Sequence, residues 1–392
     1  MSADVELVGR VRDRLAGGAA APTRAHVAAA IRSESAVRGA ADLLATVDAL
    51  RGEMVGAGPL DAVLHEPRVT DVLVNGHGQV WVDRGNGLEL AEVRFASERE
   101  VRRLAVRLAN AAGRRLDDAV PFADVRLPGG VRLHAVLPPV SPSMVCLSFR
   151  VPHATGLRLD DWVEGGALPA AAAQLLARIV AARLSFVVTG GTGCGKTTLL
   201  ATLLSCIDPG ERIVIVEDTG ELRPHHPHVV RLEARAANVE GAGAIDLRRL
   251  VREALRMRPD RLVVGEVRGA ECVDLLAALN VGHDGGCGTL HANSVADVPP
   301  RIEALCMAAG LSRAATHSQL AAAVQVVVHL VRNKSGRRLD AIGVLSRAAD
   351  GLVEIVPAVR VVAGRLVDDF GRPDLDALLN RAGLVTEAFA AS

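Results

Sequence analysis

The segment Gly190-Gly191-Thr192-Gly193-Cys194-Gly195-Lys196-Thr197, followed by Thr198, constrains this chain of 392 residues more than any other feature. It fits G-x-x-x-x-G-K-[ST], between an apolar run at 185–189 and a helix-like run that begins near Lys196. A strand that turns sharply into a helix through glycines belongs in an α/β fold. Such glycines let consecutive backbone N–H groups curl around a phosphate, and the helix N-terminus adds favourable positive potential. The pattern predicts that Gly190 to Thr198 bind a nucleotide, with Lys196 at the β/γ-phosphates and the Thr197 hydroxyl on Mg²⁺. The alternative is a glycine-rich turn with no ligand. Cys194 reads as a small loop filler rather than a nucleophile.

Composition sharpens the role of Lys196. Of the 45 basic residues only Lys196 and Lys334 are lysine; the rest are arginine. A lysine kept in such a chain is a candidate for work that a bulky planar guanidinium cannot do. Acids also number 45, so the net charge is zero, and the chain has only eight aromatics. Neither feature suits a protein whose task is to coat nucleic acid. Six scattered cysteines with no C-x-x-C pair point to a reducing cytoplasm and to no zinc knuckle or disulfide framework. No N-terminal apolar core of a signal is visible, and the best candidate span, 168–188, is interrupted by Arg178 and Arg183. A soluble chain is expected.

Residues 1–55 read as Ala/Arg-rich helices with no evident chemistry. Residues 57–150 read as a small α+β domain: strands at 71–74 and 80–83 around Asn75-Gly76-His77-Gly78, a helix opened by the capping box Ser97-Glu98-Arg99-Glu100, and strands at 125–127, 131–136 and 145–149. The stretch 151–168 reads as a linker. From 169 to 345 short apolar strands (185–189, 212–216, 229–233, 262–265) alternate with helices, which implies a parallel sheet covered on both faces. Weaker strands follow, and 346–392 carries no clear assignment.

A phosphate loop that hydrolyses its ligand needs a carboxylate on a neighbouring strand to hold Mg²⁺ and orient water. Glu266 ends the strand Leu262-Val263-Val264-Gly265; its bland alternative is a salt bridge to Arg268. Glu217 and Asp218 end another strand, and ligands bind at the carboxyl ends of parallel strands. His283 and His291 lie in a polar, glycine-rich stretch but lack a third ligand at zinc spacing. They are expected to sense the γ-phosphate or to bridge subunits. Arg248, Arg249, Arg252, Arg256, Arg258 and Arg261 read as a solvated or inter-subunit face, since no aromatics are interleaved among them.

The ordered segments GGTGCGKTT (190–198), IVEDTGEL (215–222), LRMRPDRLVVGEVRGAE (255–271) and GHDGGCGTLHANS (282–294) resemble the Walker A, Asp box, atypical Walker B and His box of the type II/type IV secretion ATPase superfamily. The wording is most similar to its tight-adherence (Tad) pilus, or CpaF-like, branch. VTDVLVNG (69–76) and the run from 125 to 150 resemble the family's N-terminal domain. The resemblance implies a RecA-like P-loop NTPase core, a smaller N-terminal α+β domain and a hexameric ring. It further implies Mg²⁺-dependent ATP hydrolysis that drives an integral-membrane pilus or secretion platform from the cytoplasmic side. It places Lys196 and Thr197 as the P-loop pair, Glu217 and Asp218 as Asp-box acids, Glu266 as the Walker B glutamate, and His283 and His291 in the His box. Asp218, Thr197 and Glu266 are the expected metal-facing set. Arg126, Arg132 and Arg150 match N-domain arginines that approach the phosphates.

The sequence departs from that pattern in three places. Gly286-Cys287-Gly288 replaces a more polar run, and Ser143-Met144-Val145 lacks a glycine before the last N-domain strand. Val298-Pro299-Pro300 falls where the family begins a helix, so that helix is expected to start later. Competing functions are a conjugation-type ATPase moving DNA or effector proteins, a nucleotide-gated scaffold with little turnover, and a RecA-like translocase that the zero net charge disfavours. The expected partners are further copies of the chain and a membrane protein, with no direct nucleic acid.

Overall fold

The computed structural model describes residues 56–66, 68–85, 87–151, 156–235, 242–333 and 336–382. The helices expected within 1–55, and Lys334, lie outside the described residues. The chain divides into two compact units, Met1–His153 and Ala154–Ser392.

In the first unit a helical turn, Gly58–Leu60, runs into α1 (Asp61–Leu64). Strands β1 (Asp71–Asn75), β2 (Gln79–Asp83) and β3 (Leu88–Leu90), helix α2 (Glu98–Ala111), and strands β4 (Phe122–Arg126), β5 (Arg132–Val136) and β6 (Cys146–Arg150) follow. The six strands form an antiparallel sheet in the order β3-β2-β1-β6-β5-β4. Alternation buries one face, where Val72, Val74, Leu133, Ala135, Leu147 and Phe149 meet Val101, Leu104, Ala105 and Leu108 of α2. The expected capping box forms only in part. Glu100 accepts from the Ala96 N–H at 2.7 Å, but the Ser97 side chain makes no cap bond. Glu98 instead braces the sheet, accepting from the backbone N–H groups of His77 and Val145.

The second unit opens with α3 (Leu159–Glu164) and α4 (Ala170–Ala181). Then come β7 (Phe186–Gly190), α5 (Lys196–Leu204), β8 (Ile213–Glu217), β9 (Val229–Glu233), α6 (Leu247–Leu255), β10 (Arg261–Val267), α7 (Glu271–Leu279) and β11 (Cys287–Leu290). The chain closes through α8 (Val298–Ala308), α9 (Arg313–Ala323), β12 (Val326–Asn333), β13 (Gly336–Arg347), β14 (Val353–Val362), β15 (Arg365–Asp368) and α10 (Arg372–Arg381). Nine strands make one sheet in the order β15-β14-β13-β12-β7-β11-β10-β8-β9. The six from β12 to β9 are parallel, and β13, β14 and β15 extend the sheet antiparallel. Ile213 and Ile215 face one buried core while Val214 and Val216 face the other, which is why such strands read as unbroken apolar runs.

The structure departs from the sequence pattern at three places. The supposed linker holds α3, because Trp162 has an apolar core to enter and donates its indole N–H to Thr202 Oγ1 at 3.0 Å. Helix α8 does not start late: it begins at Val298, with proline in its first positions. The N–H groups there have no intrahelical acceptor, so proline costs nothing. Arg261 is not on an exposed arginine face. It is 1% exposed and paired with Glu211. Arg248 and Arg252, from the same run, both bind Asp274, with N–O distances of 2.7 Å.

Candidate functional site

Strand β7 ends where its neighbour continues. β12 pairs with β7 up to Leu330 opposite Gly190, then runs on past the turn. At Gly190 a Cβ would collide with the Leu330 carbonyl oxygen and lie 2.6 Å from Cys194 Sγ, so only glycine lets the chain leave the sheet here. Gly195, with φ of +95°, occupies the N-cap position of α5. Lys196, the first residue of that helix, is buried. Its Nζ donates to the carbonyls of Gly190 and Gly191 at 3.0 and 2.9 Å and lies 3.3 Å from His291 Nδ1. Thr197 and Thr198 follow, both half-buried.

The strand order explains which distant segments meet the loop. β11 lies between β7 and β10, so its C-terminal end delivers His291 between Lys196 and the tip of β10. His291 Nε2 is 2.8 Å from Glu266 Oε1. Burial, and then the nearby Lys196 ammonium, hold the imidazole below its ordinary pKa against the pull of Glu266. The neutral ring thus accepts at Nδ1 and donates from Nε2. His283 is not brought in. It precedes β11, and the adjoining Gly285 carbonyl accepts from Arg261, the first residue of β10, at the opposite end of the strands.

Glu266 gains its position from an irregularity. Between Val264 and Val267, β10 advances three residues while β11 advances two, from Gly288 to Leu290. A bulge of this kind re-aims a side chain. The Gly-Glu wording also becomes intelligible, because a Cβ on Gly265 would lie 2.6 Å from Glu217 Cγ. Glu217 fills that space and is 4% exposed. Its Oε1 accepts from the N–H groups of Glu221 and Leu222, both at 2.9 Å, while Oε2 is buried without a hydrogen bond. Burial raises its pKa to about 7, against the two backbone bonds. Asp218 is paired with Arg268, which the sequence offered instead to Glu266. Burial raises the Asp218 pKa, opposed by Arg268 and reinforced by the nearby Glu271 and Glu266 carboxylates. The hydroxyl of Thr197 and the carboxylate of Glu266 are hard oxygen donors of the kind Mg²⁺ takes alongside phosphate oxygens and water. Asp218, held by Arg268, is less suited.

Residues that the sequence did not flag surround this group. His329 on β12 is buried; its Nδ1 is 2.9 Å from Thr189 Oγ1, and it hydrogen-bonds the Asn293 backbone. Arg332 and Arg337 are cross-strand partners at the end of β12 and the start of β13. Arg332 Nη1 lies 3.0 Å from where a Cβ on Gly193 would stand, and Arg337 Cδ 3.4 Å from that of Gly195. A buried histidine on an apolar strand carries no sequence signal. The two arginines were lost among many others.

In the first unit, Arg126, Arg132 and Arg150 stand abreast on adjacent strands: Arg126 opposes Arg132, Arg132 opposes Arg150, and Arg150 opposes Asp71. All three alternate with buried residues and so share the face of the sheet turned away from its core. Arg132 also binds Asp124 at 3.1 Å.

A putative conjugal transfer protein of Mycobacterium tuberculosis is 57% identical over 324 residues, covering 81% of this chain and 92% of that protein. The probable conjugal transfer protein TrbB of Sinorhizobium fredii is 32% identical, over 76% of this chain and 89% of its own. Among solved structures, the pilus retraction motor PilT with bound ADP aligns over 83% of this chain and 88% of its own, at 19% identity and a TM-score of 0.51, which is a likeness of fold, with a RecA-like core. The family model for type II/IV secretion system proteins matches residues 53–354, and the chain belongs to that family.

Proposed function

We propose that this protein is a Mg²⁺-dependent ATPase that works as a motor subunit of a secretion or pilus machine at the cytoplasmic membrane. The observation that carries the proposal is the contact chain from Lys196 through His291 to Glu266, which links the phosphate loop to a strand-tip acid. Lys196 exchanges its carbonyl contacts for the β/γ-phosphates. Thr197 and Glu266 would hold Mg²⁺, which would neutralise charge on the phosphates. Glu266 orients the attacking water, with His291 fixing the carboxylate through its Nε2–H. Glu217 takes a positioning role, since its carboxyl is engaged with the loop at 221–222. On the pattern of the family, Arg126, Arg132 and Arg150 are the candidates to supply positive charge to the transferred phosphoryl group.

Two readings of the machine remain in play. The motif wording favours pilus assembly or protein secretion of the Tad type. The likeness to conjugal transfer proteins of M. tuberculosis and S. fredii favours conjugal transfer. Deleting the gene and scoring pili, secreted protein and plasmid transfer separates them. For the chemistry, the test is ATP hydrolysis by the wild type and Lys196→Ala. Loss of nucleotide binding in the variant supports the proposal, and wild-type turnover would refute it.

No helix among the described residues is long and apolar enough to cross a membrane. Recruitment to the membrane by a partner protein and hexameric assembly are part of the proposal.

A further inference from the structure

Strands β12 and β13 carry a row of side chains out of the core and onto the phosphate loop. Leu330 and Leu339 oppose each other and are both fully buried in the core that also holds Trp162, Cys194 and Leu199. Two residues further along each strand, and therefore on the same face, stand Arg332 and Arg337. Both are exposed, and among the described residues neither is paired with a carboxylate. Like charges directly opposed across two strands repel. Here they lie against a loop that carries the Lys196 ammonium as well. Three cations gathered at a glycine-rich turn, two of them without an acidic partner, form a site that an anion stabilises.

We infer that the β12–β13 hairpin is a second wall of the nucleotide site, in which Arg332 and Arg337 contact the phosphate chain of a bound nucleoside di- or triphosphate. This inference rests on the reading of 190–198 as the nucleotide loop. The geometry supports it in two ways. β12 outruns β7 at Gly190, so residue 332 must lie beside the loop rather than beside a strand. The Arg337 stem and the Trp162 ring both reach Gly195, the residue that positions the helix N-terminus, and Trp162 is fixed by its bond to Thr202. The arginines are thus held at the same end of α5 as the backbone N–H groups that cradle phosphate.

The test is direct binding of fluorescent ADP and of ATP to the full chain at two salt concentrations. The proteins are the wild type, Arg332→Gln, Arg337→Gln, the double variant, Arg332→Lys, and Lys196→Ala as the control. Loss of a charge-assisted contact is expected to weaken both nucleotides about tenfold per arginine. The double variant should show a shallower salt dependence, and Arg332→Lys should recover part of the loss. Unfolding midpoints without nucleotide should stay within a degree or two of wild type (roughly the effect of a neutral surface substitution). If the double variant binds both nucleotides within about twofold of wild type while Lys196→Ala does not bind, the hairpin is no part of the site. Wild-type binding by Lys196→Ala would instead remove the nucleotide-loop reading, and this inference with it.

Discussion

His291 Nε2 lies 2.8 Å from Glu266 Oε1, and this contact is available only to a ring that keeps its proton on Nε2. Lys196 enforces that tautomer from the other side, 3.3 Å from Nδ1. Protonating the ring would turn Nδ1 into a donor facing an ammonium. Because burial and Lys196 depress the pKa, the ring stays neutral to a pH below the ordinary histidine value of about 6.5. Turnover should therefore fall on the acid side of that value. His291→Gln should lower kcat by about tenfold or more and abolish this acid limb. A pH–rate profile unchanged by the substitution would separate His291 from the chemistry.

Glu217 should make stability depend on pH. Its pKa in the folded chain is raised to about 7, whereas the unfolded chain ionises near the ordinary value of 4.5. Between these values the folded state binds more protons, so stability is fully present below the lower value and is lost as pH rises through the upper one. The span corresponds to about 3 kcal/mol. Denaturant unfolding of Glu217→Gln against wild type should show the variant gaining relative stability from pH 5 to 8. A constant difference across that range would mean the carboxyl ionises normally.

Arg261 is a buried cation of the second unit. Its guanidinium binds both Glu211 oxygens at 2.7 and 3.0 Å and the Val180 carbonyl at 3.1 Å. Arg183 also binds Glu211, at 2.8 Å, so Arg261→Ala leaves an emptied buried site and orphaned acceptors rather than an unpaired carboxylate. The substitution is expected to cost about 2–3 kcal/mol. A loss below about 1 kcal/mol in urea unfolding would place the pair in the class of exposed ion pairs.

The arginine row of the first unit is predicted to act on turnover. Charge that develops during phosphoryl transfer makes a positioned guanidinium matter more in the transition state than in the ground state. At least one of Arg126→Ala, Arg132→Ala and Arg150→Ala should lower kcat by more than it weakens ATP binding. Equal changes in both, for all three, would mean a structural role.

Much of this site was legible in the sequence because its parts are local. The phosphate loop is contiguous, and strand tips can be recognised where an apolar run ends in an acid. What was hidden depends on strand register. That His291 and not His283 meets Lys196 follows from β11 lying between β7 and β10. That Gly265 precedes Glu266 reflects the space taken by Glu217, a residue 48 positions earlier whose direction no periodicity reveals. Strand β3 went unread because all three of its residues are exposed, and an edge with no buried side has no alternating pattern. Segment 346–392 shows only a weak strand signal at 352–356 and no domain assignment, since β14 and β15 belong to the antiparallel extension of the sheet, outside the strand–helix rhythm.

The role of Glu266 is decided by the fate of nucleotide on Glu266→Gln, which keeps the side chain's shape and removes its carboxylate. The full chain is mixed with radiolabelled ATP and Mg²⁺, separated from free nucleotide, and quenched in acid over time. Bound label is expected to persist as ATP, with hydrolysis slowed about a hundredfold or more relative to wild type. Conversion to ADP at the wild-type rate would contradict this role and move the activation of water to Glu217 or Asp218.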